Sequence, residues 1–472
     1  MIDQTHIDTL IRIAGPGCAT TDVKEIAPHL TEWRDKFEGK TPLMLMPADT
    51  KTAARLIGFC NEHHIAIVPQ GGNTGLVGGG TPGLEGRQEV LFSTKRMRRH
   101  IEVDPDDLSL TADAGFTVTE LQEAASVYGL MFPLSLASEG SCTAGGIIAT
   151  NAGGVHVVRY GTTRALTLGV EAVLPNGDVI DELSALRKDN TGYNLTQLMV
   201  GTEGTLGIVT RATFKLVPAE KQVHSCWIAV KSPSDALSLL HSAQKATGGR
   251  VSAFELIPDF GLELVLRHIP DTVSPLKTHY PWYVLTDIAS INEDASLERQ
   301  VNDWLEQGLE SGLIQDGAIA QSLAQRQAFW RLREAMSEAQ KHEGGSIKHD
   351  IAVPVSKVPA FLEVACTAIT DTFPGARLTP FGHLGDGNLH FNVMQPEDCD
   401  RAAFLSCWEE MNSLVHDIVA DFGGSISAEH GIGTLKKAEL HRLKKQENLN
   451  AMKAIKAALD PNNIMNPGVF FL

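Results

Sequence analysis

His383 and His390 flank a tight turn signal in Pro380-Phe381-Gly382-His383-Leu384-Gly385-Asp386-Gly387-Asn388-Leu389-His390-Phe391-Asn392. Asp386-Gly387 predicts a two-residue type I′ hairpin, because that turn needs positive φ at both central residues. Such a turn pairs Leu384 with Leu389 and His383 with His390. Imidazoles directly opposite one another on one face have Cβ atoms about 5 Å apart, a spacing that one metal ion can bridge. Asn392, two residues on, shares that face. A carboxylate and a third imidazole, Glu429 and His430, follow in Gly423-Gly424-Ser425-Ile426-Ser427-Ala428-Glu429-His430-Gly431-Ile432-Gly433. Neighbours on an extended segment point to opposite sides, so only one of the two would normally face the ribbon. A sharp glycine-flanked turn would let both reach it, which permits Glu429 as a third ligand and His430 as a base beside the open coordination position. The plainer alternative is a set of hydrogen-bonded histidines with no metal.

Cations gather upstream. Trp330-Arg331-Leu332-Arg333-Glu334-Ala335-Met336-Ser337 reads as one helix, which puts Arg333 and Ser337 on a shared face. After Gly344-Gly345, Ser346-Ile347-Lys348-His349-Asp350-Ile351-Ala352-Val353-Pro354 reads as a strand carrying Lys348 inward. Two cations and a hydroxyl converging on one pocket suit a carboxylate. Solvated surface charges are the competing reading of Arg331, Arg333 and Lys348.

The elements that must position these groups begin with a β-α-β unit. Pro42 to Pro47 and Ile65 to Pro69 read as short buried strands, and Thr50 to His63 as the helix between them, capped by Asp49 or Thr50. Ahead of it, amphipathic helical pieces are expected around Ile7 to Ile13 and Val23 to Trp33. Directly after the second strand comes Gln70-Gly71-Gly72-Asn73-Thr74-Gly75-Leu76-Val77-Gly78-Gly79-Gly80. Glycines let backbone amides curl around phosphate oxygens, so this loop reads as a phosphate cradle. It has no Gly-Lys-Ser/Thr, and Thr81-Pro82-Gly83 follows it rather than a helix, so neither a Walker loop nor a Rossmann fingerprint fits. A second small-residue stretch, 138–154, suits a backbone running flat against a large planar ligand, and a third glycine turn, in 198–210, feeds a strand.

With 472 residues the chain is too long for a single core. A composition of 43% hydrophobic and 21% charged residues is that of a globular protein, and no apolar run approaches the roughly 20 residues of a membrane span. The net charge of -17 argues against nucleic acid or an anionic membrane as a partner. It also means that local lysines and arginines must overcome the global field at any anion site. Seven scattered cysteines without a CxxC read as reduced thiols. With a start lacking a basic, apolar leader, they place the chain in the cytoplasm or, after processing, in the mitochondrial matrix.

Taken together, the glycine stretches and Asn462-Asn463-Ile464-Met465-Asn466-Pro467-Gly468 resemble the flavoprotein family typified by vanillyl-alcohol oxidase and p-cresol methylhydroxylase. The resemblance implies an α+β fold: a two-part FAD-binding domain over 1–218, an antiparallel-sheet cap domain over 219–425, and a segment, 426–472, that returns to the FAD domain. Leu216 to Glu220 reads as the linker and Pro270 to His279 as an exposed loop. It implies FAD contacts from Gln70, Gly71, Gly72, Asn73, Thr74, Gly75, Gly78 and Gly79 around the pyrophosphate. Pro133, Ser138, Gly140, Thr143, Ala144, Gly146, Asn151, Gly153, Gly154, Tyr160 and Gly161 would run along ribitol and ring, with Glu203, Gly207, Ile208 and Asn466 completing the set. Covalent members often carry histidine in the first loop; Asn73 stands here, so non-covalent FAD is expected.

Within that family, the hairpin and Ala428-Glu429-His430-Gly431 are similar to the D-2-hydroxyacid dehydrogenases. This implies His383, His390 and Glu429 as zinc ligands (or ligands of another divalent metal), His430 as base and substrate contact, and Asn392 as a substrate contact. Arg333, Ser337 and Lys348 resemble the distal-carboxylate grip of the members that act on D-2-hydroxyglutarate, although those usually carry threonine where Ser337 stands. D-lactate as substrate, or an oxidase passing electrons to oxygen, are the alternatives. A quinone or an electron-transfer flavoprotein is the implied acceptor, and a homodimer is compatible with the resemblance.

Overall fold

Strand pairing in the computed structural model, which describes residues 2–472, follows the alternation of apolar side chains and yields a mixed α+β fold, as expected. Two compact units result. Residues 2–154, Gly161–Ala219 and Glu429–Leu472 form the first, and Val155–Tyr160 with Glu220–Ala428 form the second. Among the described residues no helix is long and apolar enough to cross a membrane, and the seven cysteines are free thiols.

In the first unit, Met44–Leu45 and Ala66–Gln70 each pair in parallel with Glu89–Ser93. Parallel neighbours need a crossover, and Thr50–Glu62 supplies it. The Asp49 side chain caps that helix by accepting from the Thr52 N–H at 2.8 Å, and Ala53, Leu56, Ile57 and Cys60 are its buried stripe. The helix expected over 23–33 is confined to Val23–Ile26 and a 3₁₀ turn, Ala27–His29. Pro28 has no amide to donate and its ring would clash with the preceding turn of a continuing α-helix. An antiparallel five-stranded sheet runs in the order Ile101–Asp104, Ser109–Asp113, Ile208–Lys215, Thr167–Val173, Val179–Asp181. The C-terminal tail rejoins this unit as a parallel bridge: the Ile67 N–H donates to the Ile464 carbonyl at 2.7 Å and the Asn466 N–H to the Ile67 carbonyl at 2.8 Å.

The second unit is built on one seven-stranded antiparallel sheet. Its order is Asp316–Ile319, Gln222–Val230, Trp282–Ser290, Val251–Pro258, Arg377–His383, Asn388–Met394, Ser346–Ala352. One face buries Phe254, Leu256, Ile347, Ile351, Leu389, Phe391 and Val393 beneath the helices Pro233–Ala246, Val358–Thr372 and Trp408–Asp421. The opposite face buries Trp227, Ile257, Leu285, Phe381 and Met394 against the helices Asp259–His268 and Leu323–Glu334. That same face also carries Glu255, His383, His390 and Asn392.

Candidate active site

The hairpin forms, but in a different register from the expected one. His383 pairs with Asn388, Gly382 with Leu389 and Phe381 with His390, so Leu384 to Gly387 is a four-residue loop. Of Asp386 and Gly387 only the glycine takes positive φ, at 83°, and a type I′ turn needs both. Instead the Asp386 and Gly387 amides donate to the His383 carbonyl at 3.2 and 3.0 Å, while the Asp386 side chain accepts from the Asn388 N–H at 2.9 Å. Leu384 pulls the loop out of the ladder, because it is fully buried in the core on the far face. A side chain at position 387 would meet the Val353 carbonyl at 2.1 Å, so only glycine fits there.

His383 and His390 therefore stand diagonally rather than directly opposite, yet still on one face, with ring centroids 5.6 Å apart. The register extends that face. Glu255 lies opposite His383, Asp350 opposite His390, and Lys348 opposite Asn392. The four strands thus present Glu255, His383, Asn388, His390, Asn392, Asp350 and Lys348 side by side. Asn392 Nδ2 donates to Gln340 Oε1 at 3.0 Å, and Asn388 Nδ2 donates to Asp350 Oδ1 at 3.0 Å. Burial pushes the Asp386 carboxyl up to about 6, against the pull of His383.

Arg333 and Ser337 do not share one unbroken helix. Leu323–Glu334 ends at Ala335, and Met336–Ala339 starts a separate turn. Arg333 is buried at 7% exposure, with Nε 2.8 Å and Nη2 2.7 Å from Glu255 Oε2 and its guanidinium 4.7 Å above the Phe381 ring. Ser337 is exposed, and its carbonyl accepts from Lys348 Nζ at 3.2 Å. The other oxygen of Glu255 lies 2.7 Å from His383 Nδ1. Burial alone would raise the Glu255 carboxyl; His383 and Arg333, by charge and hydrogen bonds, bring it down to about 2. Glu255 was missed in the sequence. The available signal was a lone charge within the apolar run Val251–Pro258.

The donor set on this face fits a divalent metal. A carboxylate can only accept, so His383 Nδ1 must carry the proton, and in the neutral ring the lone pair is on Nε2. Imidazole nitrogens with a carboxylate are zinc-type ligands.

The first unit holds the glycine loop. Among the described residues no amide N–H of residues 71–80 donates a hydrogen bond. A run of undonated amides, with left-handed residues at Asn73 and Gly78, suits an anionic pyrophosphate. Gln70 anchors the loop: its Nε2 donates to the carbonyls of His29 and Gly80, both at 2.9 Å, and to Asn73 Oδ1 at 3.2 Å. Asn73 in turn donates to the Thr31 carbonyl at 3.0 Å. A Cβ on Gly72 would meet the Ser141 carbonyl at 1.9 Å, which packs the loop directly against the 138–146 stretch. That stretch is not flat throughout, since Ala144–Thr150 is a helix capped by Thr143. Asn151 ends the helix in the left-handed region and accepts from the Arg164 N–H. Pro133, Ser138, Gly140, Gly146, Gly153, Gly154 and Gly161 belong to this unit, whereas Tyr160 lies in the second, its hydroxyl donating to Glu220 at 2.9 Å.

Glu203 and Asn466 tie the tail to the loop. Asn466 Nδ2 donates to the carbonyls of Gly79 and Glu203, and Glu203 accepts from the amides of Ile432 and Gly433 at 2.7 and 2.8 Å. Gly207 and Ile208 continue the same segment into a central strand. Burial pushes the Glu203 carboxyl from 4.5 up to about 7 despite those two donors. Between these values the folded state holds a proton that the unfolded chain has lost. Stability therefore falls as pH rises across that window and levels off above it. Urea midpoints at about pH 5 and about pH 8 should show this slope, and Glu203→Gln should flatten it.

A family model described as FAD binding domain matches residues 42–182, and one described as FAD linked oxidases, C-terminal domain, matches residues 219–470. The chain is thus an FAD-linked oxidoreductase. The mitochondrial D-2-hydroxyglutarate dehydrogenase of Arabidopsis thaliana is 35% identical over 99% of this chain and 81% of the relative, and the D-2-hydroxyglutarate dehydrogenase of Stutzerimonas stutzeri is 34% identical over 100% of both. The chain belongs to the D-2-hydroxyglutarate dehydrogenase family. A D-2-hydroxyglutarate–pyruvate transhydrogenase of Saccharomyces cerevisiae is 32% identical over 94% of this chain and 89% of the relative. Among solved structures, p-cresol methylhydroxylase with substrate bound superposes with a TM-score of 0.74 at 15% identity, over 99% of this chain and 97% of that one. An alkyldihydroxyacetonephosphate synthase does so with 0.75 at 18% identity, over 99% and 86%. At these identities the likeness concerns the fold, which is that of the family resemblance drawn from the sequence.

Proposed function

We propose that this protein oxidises D-2-hydroxyglutarate to 2-oxoglutarate. The observation that carries the reading is the single sheet face on which His383, His390, Asn392 and Lys348 stand together, with Arg333 paired to Glu255 beside them. Its relatives' names point to the same substrate. His383, His390 and Glu429 would hold a divalent metal, with zinc favoured by the donor set; Glu429 follows Ala428, the last residue of the second unit, by one peptide bond. Residues 70–80 and 138–154 would hold FAD without a covalent bond. When bound, FAD supplies the two-electron acceptor and the metal supplies Lewis acidity.

The remaining steps belong to side chains. His430 takes the proton of the α-hydroxyl, while C2 gives up its hydrogen with the electron pair, leaving the 2-oxo acid. Asn392 donates to the α-substituents and fixes the face of C2 presented for reaction. Arg333, Ser337 and Lys348 receive the distal carboxylate, and Arg333 does so with the N–H groups not committed to Glu255. An electron-transfer flavoprotein or a quinone then reoxidises the protein, in the cytoplasm or the mitochondrial matrix.

Anaerobic mixing with D-2-hydroxyglutarate or D-lactate, before and after exhaustive chelation, tests this reading. D-2-hydroxyglutarate should bleach the flavin rapidly, D-lactate slowly, and chelation should abolish both. Equal or faster bleaching by D-lactate overturns the dicarboxylate assignment, and full activity without metal overturns the metal site. Stoichiometric hydrogen peroxide in air would mark an oxidase instead.

A further inference from the structure

Glu255, like Asp350 and Asn388, stands on this face without a role in the chemistry above, and of the three it alone contacts both His383 and Arg333. It is fully buried, in the strand Val251–Pro258, where every other residue is apolar or small. Enclosing a carboxylate is unfavourable unless both oxygens are satisfied. Here the two oxygens are divided between two different partners. Oε1 lies 2.7 Å from His383 Nδ1, while Oε2 takes Arg333 Nε at 2.8 Å and Nη2 at 2.7 Å. One carboxylate therefore touches both a candidate metal ligand and a candidate anion-binding arginine.

The consequences differ at the two ends. At His383 the carboxylate fixes the tautomer and the ring plane, which leaves Nε2 as the donor atom and raises its basicity. At Arg333 it engages Nε and one hydrogen of Nη2, so Nη1 and the outer Nη2 hydrogen carry the donors left for another anion, and the Phe381 ring 4.7 Å below holds the guanidinium plane. Moving Glu255 would disturb both ends at once. We infer that Glu255 is a positioning residue that couples the metal ligand His383 to the substrate-binding Arg333, setting the donor nitrogen of one and the open edge of the other. This rests on the metal site proposed above.

The test is zinc affinity, measured on the FAD-loaded full chain by competition with a chromophoric chelator, for the wild type, Glu255→Gln and His390→Ala. The wild type should take up one zinc, His390→Ala should lose it, and Glu255→Gln should bind it about 10–100-fold more weakly, the range seen when an outer carboxylate is removed. Glu255→Gln that folds with a single unfolding transition and binds zinc as tightly as the wild type overturns the inference while leaving the metal site intact. A wild type that takes up no zinc overturns the metal site itself. Should Glu255→Gln fail to fold, nitrogen NMR of the wild-type imidazoles without metal decides: His383 protonated at Nδ1 supports the inference, and protonation at Nε2 alone overturns it.

Discussion

His390→Ala should slow flavin reduction by D-2-hydroxyglutarate about a thousandfold or more, since Lewis-acid stabilisation is worth several kcal/mol and each 1.36 kcal/mol is tenfold in rate. The fold should tolerate the change. His390 is only half-buried, and its ring meets Phe381 and His383 at centroid distances of 5.2 and 5.6 Å, without an essential place in the core. FAD content should stay at the wild-type level, because the glycine loop belongs to the other unit. Stopped-flow bleaching together with metal analysis separates the contributions. A variant that carries no metal and yet reduces its flavin at the wild-type rate would remove the metal from the reaction.

The second large effect is on stability. Arg333→Met should cost about 3–5 kcal/mol, the range for breaking a buried ion pair by removing one partner. The methionine fills much of the same space over Phe381, so the loss reflects charge rather than a cavity. Glu255 would be left buried with His383 as its remaining hydrogen-bond partner. The pH dependence follows from the low Glu255 value. A carboxyl held at about 2 in the folded state, against 4.5 as its ordinary value, contributes stability that is present above about 4.5 and is lost as pH falls toward about 2. The gap between wild type and Arg333→Met should therefore narrow on acidification. Urea unfolding at neutral and acidic pH measures both, and equal midpoints at neutral pH would show that the pair is not formed. The same variant should also lose the preference for D-2-hydroxyglutarate over D-lactate.

Much of the protein was legible in the chain because the signals are local. The crossover helix Thr50–Glu62 follows from its cap and apolar spacing, and the loop after Ala66–Gln70 from its glycines. Where local reading went astray, a non-local contact won. The Asp-Gly preference for a two-residue turn lost to the burial of Leu384, which shifted the register and moved the histidines from opposite to diagonal. The helix expected to carry Arg333 and Ser337 on one face broke at Ala335, and Arg333 turned inward to Glu255.

By itself, then, the sequence determined the kinds of groups available: amide-rich glycine loops for phosphate, imidazoles bracketing a turn, an adjacent carboxylate and imidazole, and cations enough for a dicarboxylate. Spacing along the chain suffices for these, because a turn, a cap or a helical stripe is settled within a few residues. Only the tertiary structure decided which of them are coupled. Glu255 lies 78 residues from Arg333 and 128 from His383; the strand order sets Val251–Pro258 beside Arg377–His383, and the helix Leu323–Glu334 packed on the same face brings Arg333 to them. That order is chosen by the burial of apolar faces on both sides of the sheet, a property of the whole unit that no local pattern encodes.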